Sequence, residues 1–149
     1  MATKPYFFGK YYKCIATDSF SFALIDSISE EGYAKQLITP EGSYQIMDLN
    51  SITVDEQGIK INLHESGLTV VGNVRFGAFH RLRRKAMGPF SIFSMECCHE
   101  IYSMYHSLSG SIVFNGVMHS FDDGYGYIEG DSGTNFPSQY IWYNSVGHD

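Results

Sequence analysis

Apolar and polar residues alternate with a period of two through most of this chain. Phe20, Phe22 and Leu24 interleave with Ser19, Ser21 and Ala23. Ile59, Ile61 and Leu63 interleave with Lys60, Asn62 and His64, and Val74, Phe76 and Ala78 with Asn73, Arg75 and Gly77. Successive side chains of a strand point to opposite faces, so this pattern predicts half-buried antiparallel strands with one wet face. The 3.6-residue period of an amphipathic helix does not stand out anywhere, and Asp48-Leu49-Asn50-Ser51-Ile52 reads as a short turn. Ile101-Tyr102-Ser103-Met104-Tyr105-His106 is apolar or aromatic on both parities. It predicts a strand covered on both sides, or one whose second face lines a cavity.

Turn signals separate these runs. Pro40-Glu41-Gly42, Glu56-Gln57-Gly58, Glu65-Ser66-Gly67 and Asp123-Gly124 all fit. Asn115-Gly116 is the cleanest, because both residues tolerate the positive φ of a type I′ hairpin. It predicts a hairpin between Ser111-Ile112-Val113-Phe114 and Val117-Met118-His119-Ser120-Phe121. Nine or ten short strands joined by turns describe an all-β, antiparallel barrel or β-sandwich. With 149 residues, the expectation is one domain over 1–149, long enough to bury about 70% of its unfolded surface.

The formal charge of −6 argues against nucleic acid or anionic membrane as a general partner. Arg81, Arg83, Arg84 and Lys85 run against that trend and read as a solvated connection, or as a local contact for an anion or a partner. Cys14, Cys97 and Cys98 make a poor disulfide framework, and no CxxC pair suggests zinc. A reducing cytoplasm is the expected setting. Met1-Ala2-Thr3-Lys4-Pro5-Tyr6 lacks the apolar core of a signal peptide, and no apolar run nears the roughly 20 residues that span a bilayer. Stable membrane insertion is not expected.

Candidate chemistry concentrates in two stretches. Met95-Glu96-Cys97-Cys98-His99-Glu100 puts two acids, a histidine and two thiols on one strand, with Glu96, Cys98 and Glu100 sharing a face. A buried carboxylate there has a raised pKa and can work as a general acid. The second stretch, from Gly124 to Asn144, holds glycines, Glu129, Asp131, several aromatic rings and the single tryptophan, Trp142. Glu129 and Asp131 share one face of a strand. Two roles are open to them: a proton donor held in apolar surroundings, or a clamp on the amides of a glycine-rich closing turn. Gly130-Asp131-Ser132-Gly133 resembles a serine-protease nucleophile loop, but no histidine of the chain stands in a recognisable base motif. The six histidines show no HxH or HExxH spacing, and no metal site is expected.

Tyr127-Ile128-Glu129-Gly130-Asp131-Ser132-Gly133, followed by Phe136-Pro137 and Tyr140-Ile141-Trp142, resembles the signature of the tocopherol cyclase family. Gly88-Pro89-Phe90, Met95-Glu96-Cys97 and Ser103 to Gly110 are similar to its middle region, and Phe8-Gly9-Lys10-Tyr11-Tyr12-Lys13 to its opening strand. The chain departs from the pattern where Ser132 replaces a tryptophan, where Lys10-Tyr11 lacks another, and where Tyr143 replaces a glutamine. The resemblance covers only the N-terminal half of the family. It implies a lipocalin-like fold and a hydrophobic, isoprenoid or prenyl-quinol ligand. It also implies acid-catalysed ring closure that needs no cofactor, with Glu129, Asp131 or Glu96 as proton donor. Tyr102, Met104, His106, Tyr127, Phe136 and Trp142 are the candidate ligand-lining residues. The missing half would come from a C-terminal domain or a homodimer partner. The alternatives are a non-catalytic lipid carrier or sensor, and a structural half that only completes a partner.

Overall fold

A computed structural model describes residues 7–65, 67–81 and 97–133. Among them the fold is all-β and antiparallel, as the alternation predicts. The ten strands are β1 (Phe7–Ile15), β2 (Ser21–Ser29), β3 (Gly32–Thr39), β4 (Gly42–Gln45), β5 (Ile52–Asp55), β6 (Gly58–Glu65), β7 (Leu68–Phe76), β8 (Cys97–Phe114), β9 (Val117–Ser120) and β10 (Tyr125–Gly133). A 3-10 turn, Leu49–Ser51, sits where the sequence places a short turn.

The strands form one continuous sheet in the order β4-β3-β2-β1-β10-β8-β7-β6-β5, with β9 beside β8. That sheet is curled in a lipocalin-like manner. β3 and β5 lie seven positions apart in it, which on a flat sheet would separate them by roughly 34 Å. Yet the Lys35 ammonium on β3 donates to the carbonyls of Leu49 and Ile52 at 2.9 and 2.6 Å, at the start of β5. Further ties run beside it. The Glu65 carboxylate at the end of β6 accepts from the amides of Met47 and Asp48, just past β4. Across the molecule, Thr17 N–H donates to the Ser120 carbonyl of β9, and Asp18 pairs with His119 at 2.8 Å. The His119 hydrogen bond, followed by the Phe20 amide, lowers the pKa of Asp18.

One apolar cluster fills the curl, with Leu24, Leu37, Ile52, Ile59, Leu63 and Phe121 fully buried. Each such side chain contributes about 1.5–3 kcal/mol, more than a typical hydrogen bond. Ile59, Ile61 and Leu63 point in, and Lys60, Asn62 and His64 point out, as their alternation predicts. Cys14 is buried in the same core, which pushes its thiol pKa up and leaves it unreactive.

Strand β8 joins the two halves of the sheet. Residues from Cys97 to Ser107 pair with β10, and residues from Leu108 to Phe114 pair with β7. The changeover needs Gly110, whose φ is +103° and whose absent Cβ would collide with the Asn73 carbonyl. The hairpin at Asn115-Gly116 forms as expected, with φ of 46° and 85°. The Asn115 side chain also accepts from the Thr69 amide at 2.8 Å, fastening the hairpin to β7.

Gly110 and Gly116 therefore separate conformational strain from crowding. Both have positive φ, but a Cβ at Gly116 meets open space. G116A is expected to cost about 1 kcal/mol from strain. G110A is expected to cost a further ~1–3 kcal/mol from the collision. Urea unfolding of the two variants checks this, and equal losses would contradict the β8 corner described above.

Candidate functional site

The glycine-rich stretch is not a closing turn. Tyr125–Gly133 is a strand at the centre of the sheet, laddered evenly to β1 on one side and, with register shifts around Ile128, to β8 on the other. Gly126 and Gly130 lie on the face that looks into the curl, and each makes room for a ring. A Cβ on Gly126 would run into the imidazole of His106, the residue opposite it on β8. A Cβ on Gly130 would lie 2.6 Å from the Tyr102 ring. The Lys10 ammonium covers that same ring, 4.5 Å from its centroid. The alternation small-then-ring is thus a packing code across two strands.

His106 is fully buried, its ring 4.8 Å from Phe76 and 5.0 Å from Phe79 by centroid. Its tautomer follows from its neighbour. The Ser103 hydroxyl donates its one proton to the Tyr105 carbonyl at 3.0 Å, so it must accept from His106 Nδ1–H, also at 3.0 Å. Nε2 then carries a lone pair, buried and with no hydrogen-bond partner among the described residues. Burial, and next the nearby His80, pull the imidazole pKa down to about 4. At neutral pH His106 is an uncharged ring packed among other rings.

The opposite face of β10 holds a different group. Tyr127 and Glu129 are buried, but on the outer side of the sheet from the apolar core. The Tyr127 hydroxyl donates to Glu129 Oε2 at 3.0 Å. Tyr11 stands opposite Glu129 on β1, and its phenol pKa is raised by burial first and by the Glu129 charge second. Asp131 shares this face, half-buried, opposite Gly9. The sequence candidates therefore divide between two faces. Tyr102 and His106 look inward; Tyr127, Glu129 and Asp131 look outward. Met104 is half-buried and its amide donates to the His80 carbonyl at 2.8 Å. Glu96, Phe136, Trp142 and the basic residues Arg83, Arg84 and Lys85 lie outside the described residues.

The register also shows an inward-facing cluster that sequence reasoning missed. The apolar rung Ile128–Tyr12–Leu24–Leu37 is followed, roughly 7 Å along the strands, by Gly130–Lys10–Asp26–Lys35. The next rung on the same side is Ser132–Phe8–Ile28–Tyr33. Here apolar side chains reappear beyond the charges, with Ile28 37% and Tyr33 71% exposed. Tyr12 lies buried on the rung inside these charges, its ring stacked on Phe76 at 6.3 Å. Burial, then the charge of Asp26, then Tyr102 and Asp55, push its phenol up to about 12. It therefore stays a neutral hydrogen-bond donor at any physiological pH. The available signal was parity: Lys10, Asp26 and Lys35 continue the same faces as Tyr12, Leu24 and Leu37. Among the described residues no group of His, Cys, Asp and Glu is arranged to hold a metal ion, and no helix is long and apolar enough to cross a membrane.

No protein-family model matches the chain, nor does any curated protein. Among solved structures the chain is similar to a protein of Nitrosomonas europaea provisionally described as AttH. The two are 11% identical over 91% of this chain and 53% of that one, with a TM-score of 0.44. This chain spans about half the length of that structure.

His106 gives the core a defined acid response. Its folded pKa of about 4 lies below the ordinary value of 6.5, so the unfolded chain binds more protons between those two pH values. Its neutral-ring contribution is complete above pH 6.5 and is lost as pH falls towards 4. The loss amounts to at most about 3 kcal/mol. Unfolding free energies of the wild type and H106Q, measured from pH 7 to 4, are expected to converge by that amount as pH falls. A constant difference across the range would refute the buried neutral ring.

Proposed function

We propose that this chain is a tocopherol cyclase-like, lipocalin-like domain that binds an amphipathic, isoprenoid-type ligand at the mouth of the curl. The observation that carries this reading is the order of the inward rungs: packed apolar core, charged rung, exposed apolar rung. An isolated exposed Ile or Tyr needs no explanation, but Phe8, Ile28 and Tyr33 are cross-strand neighbours on the side that faces the interior. A ligand with a hydroxyl-bearing head and a prenyl tail has the matching order of groups. Lys10, Asp26, Tyr12 and Tyr102 offer a cation, an acceptor and two phenols to the head. Phe8, Ile28 and Tyr33 offer apolar surface to the tail, where each buried CH₂ contributes about 0.8 kcal/mol. The family resemblance supports the same ligand class.

The same exposed rung supports a second reading, in which a C-terminal domain or a second copy of the chain covers it. The acid chemistry that the resemblance implies is assigned no part in this mouth, because Glu129 and Asp131 stand on the other face of β10.

Native mass spectrometry of the purified protein, followed by lipid extraction, separates the two readings. The binding reading expects a monomer carrying a prenyl or acyl mass, or one that takes up geranylgeraniol with a micromolar dissociation constant. I28E, which puts a charge on the apolar rung, is expected to weaken uptake at least tenfold, since each 1.4 kcal/mol is a factor of ten. An empty dimer that I28E dissociates would replace ligand binding with the incomplete-half reading. Undiminished uptake by I28E would move the ligand away from this mouth.

A further inference from the structure

The outer face of β5, β6 and β7 carries a feature separate from the mouth. Register places Thr53, Lys60 and Asn73 on one outward rung, and Asp55, Gly58 and Arg75 on the next. Gly58 has no side chain, so the second rung is notched between Asp55 and Arg75. A concavity of about 350 Å³ opens there, lined by Thr53, Asp55, Gln57, Lys60, Asn73 and Arg75 among others. The charges around it are not balanced. The Asp55 carboxylate, the notch's one anion against two cations, accepts from the amides of Gln57 and Gly58 at 2.7 and 3.1 Å. Neither Lys60 nor Arg75 is in an ion pair among the described residues, where the pair formed is His119 with Asp18. Two cations therefore border one notch on a chain whose formal net charge is −6.

We propose that this notch binds a small oxyanion, a phosphate group above all, between Lys60 and Arg75. The two residues are diagonal cross-strand neighbours, a spacing of roughly 7–8 Å that long side chains bridge through one anion. The Arg75 fork matches two oxygens of a phosphate, while the Lys60 ammonium acts as a compact charge on a third. The Asn73 amide and the Thr53 hydroxyl border the same rung and supply neutral donors. An anion held there would also relieve the repulsion between the two cations.

The test uses the whole chain and inorganic phosphate, with sodium chloride at matched ionic strength as the reference. Amide NMR shifts of Thr53, Lys60, Asn73 and Arg75 are expected to saturate with phosphate in the millimolar range and to stay linear with chloride. K60Q and R75Q are each expected to weaken phosphate at least fivefold with an unchanged melting temperature, because both side chains are exposed. Shifts that chloride reproduces, or saturable binding that survives both substitutions, would overturn the proposal. Co-sedimentation with phosphatidylcholine vesicles containing phosphatidic acid distinguishes the source. Sedimentation lost in K60Q and R75Q assigns the phosphate to a lipid headgroup, and no sedimentation assigns it to a soluble anion. Because these residues face away from Lys10 and Asp26, the result does not depend on what occupies the mouth.

Discussion

The Lys35 ammonium holds the sheet in its curled form. It reaches from one side of a nine-strand path to the other and donates to two carbonyls there. A sheet of this length must coil, split or expose an edge, and the right-handed twist of its strands already bends it towards closure. Twist alone does not select where the ends meet. A charged donor on two acceptors does, because removing it leaves two carbonyls without a partner at the seam. The Glu65 carboxylate repeats the device with opposite polarity, accepting from two amides of the segment between β4 and β5. The seam is thus joined by side chains on both sides of it.

The strands were the most legible part of the chain. Wherever one face is buried and the other wet, period two survives in the sequence, as in Ile59 to His64. Legibility failed where glycine carried two meanings. From Gly124 to Gly133 the glycines read as turn signals, since the chain reverses at glycine more often than it runs straight through one. In the structure Gly126 and Gly130 are strand residues whose missing side chains admit His106 and Tyr102 from the next strand. The ring and the glycine that receives it are 20 and 28 residues apart in the chain, so no local pattern announces the pairing.

The site was legible in composition and not in placement. Sequence reasoning named Tyr102 and His106 as lining residues, and both look into the curl. It also named Tyr127 and Glu129, which form a buried pair, but on the other side of the same sheet. Parity within β10 links Tyr127, Glu129 and Asp131 to one face without saying which face is inside; that depends on β1, where Tyr12 and Cys14 enter the core and Tyr11 and Lys13 do not. Lys10, Asp26 and Lys35 went unnoticed because each stands singly in its own strand. They become a row only when two registers align them.

The two faces of β10 carry different groups. Gly130, Tyr102 and Lys10 stand on the inner face, while the Glu129 carboxylate is on the far side of the backbone, engaged by Tyr127. General acid catalysis requires hydrogen-bond reach between donor and substrate, and a pleated strand lies between these two. Any reaction that uses Glu129 must therefore take place on the outer surface of the sheet, in a space bounded by Tyr11 and Tyr127 rather than by the core. The pair can equally serve as a local buried polar contact within β10, in which the Tyr127 hydroxyl satisfies a carboxylate two residues along the same strand. In either case the carboxylate is a property of the outer face. The inner face carries the charged rung, which separates the packed core from half-buried Phe8 and exposed Ile28 and Tyr33.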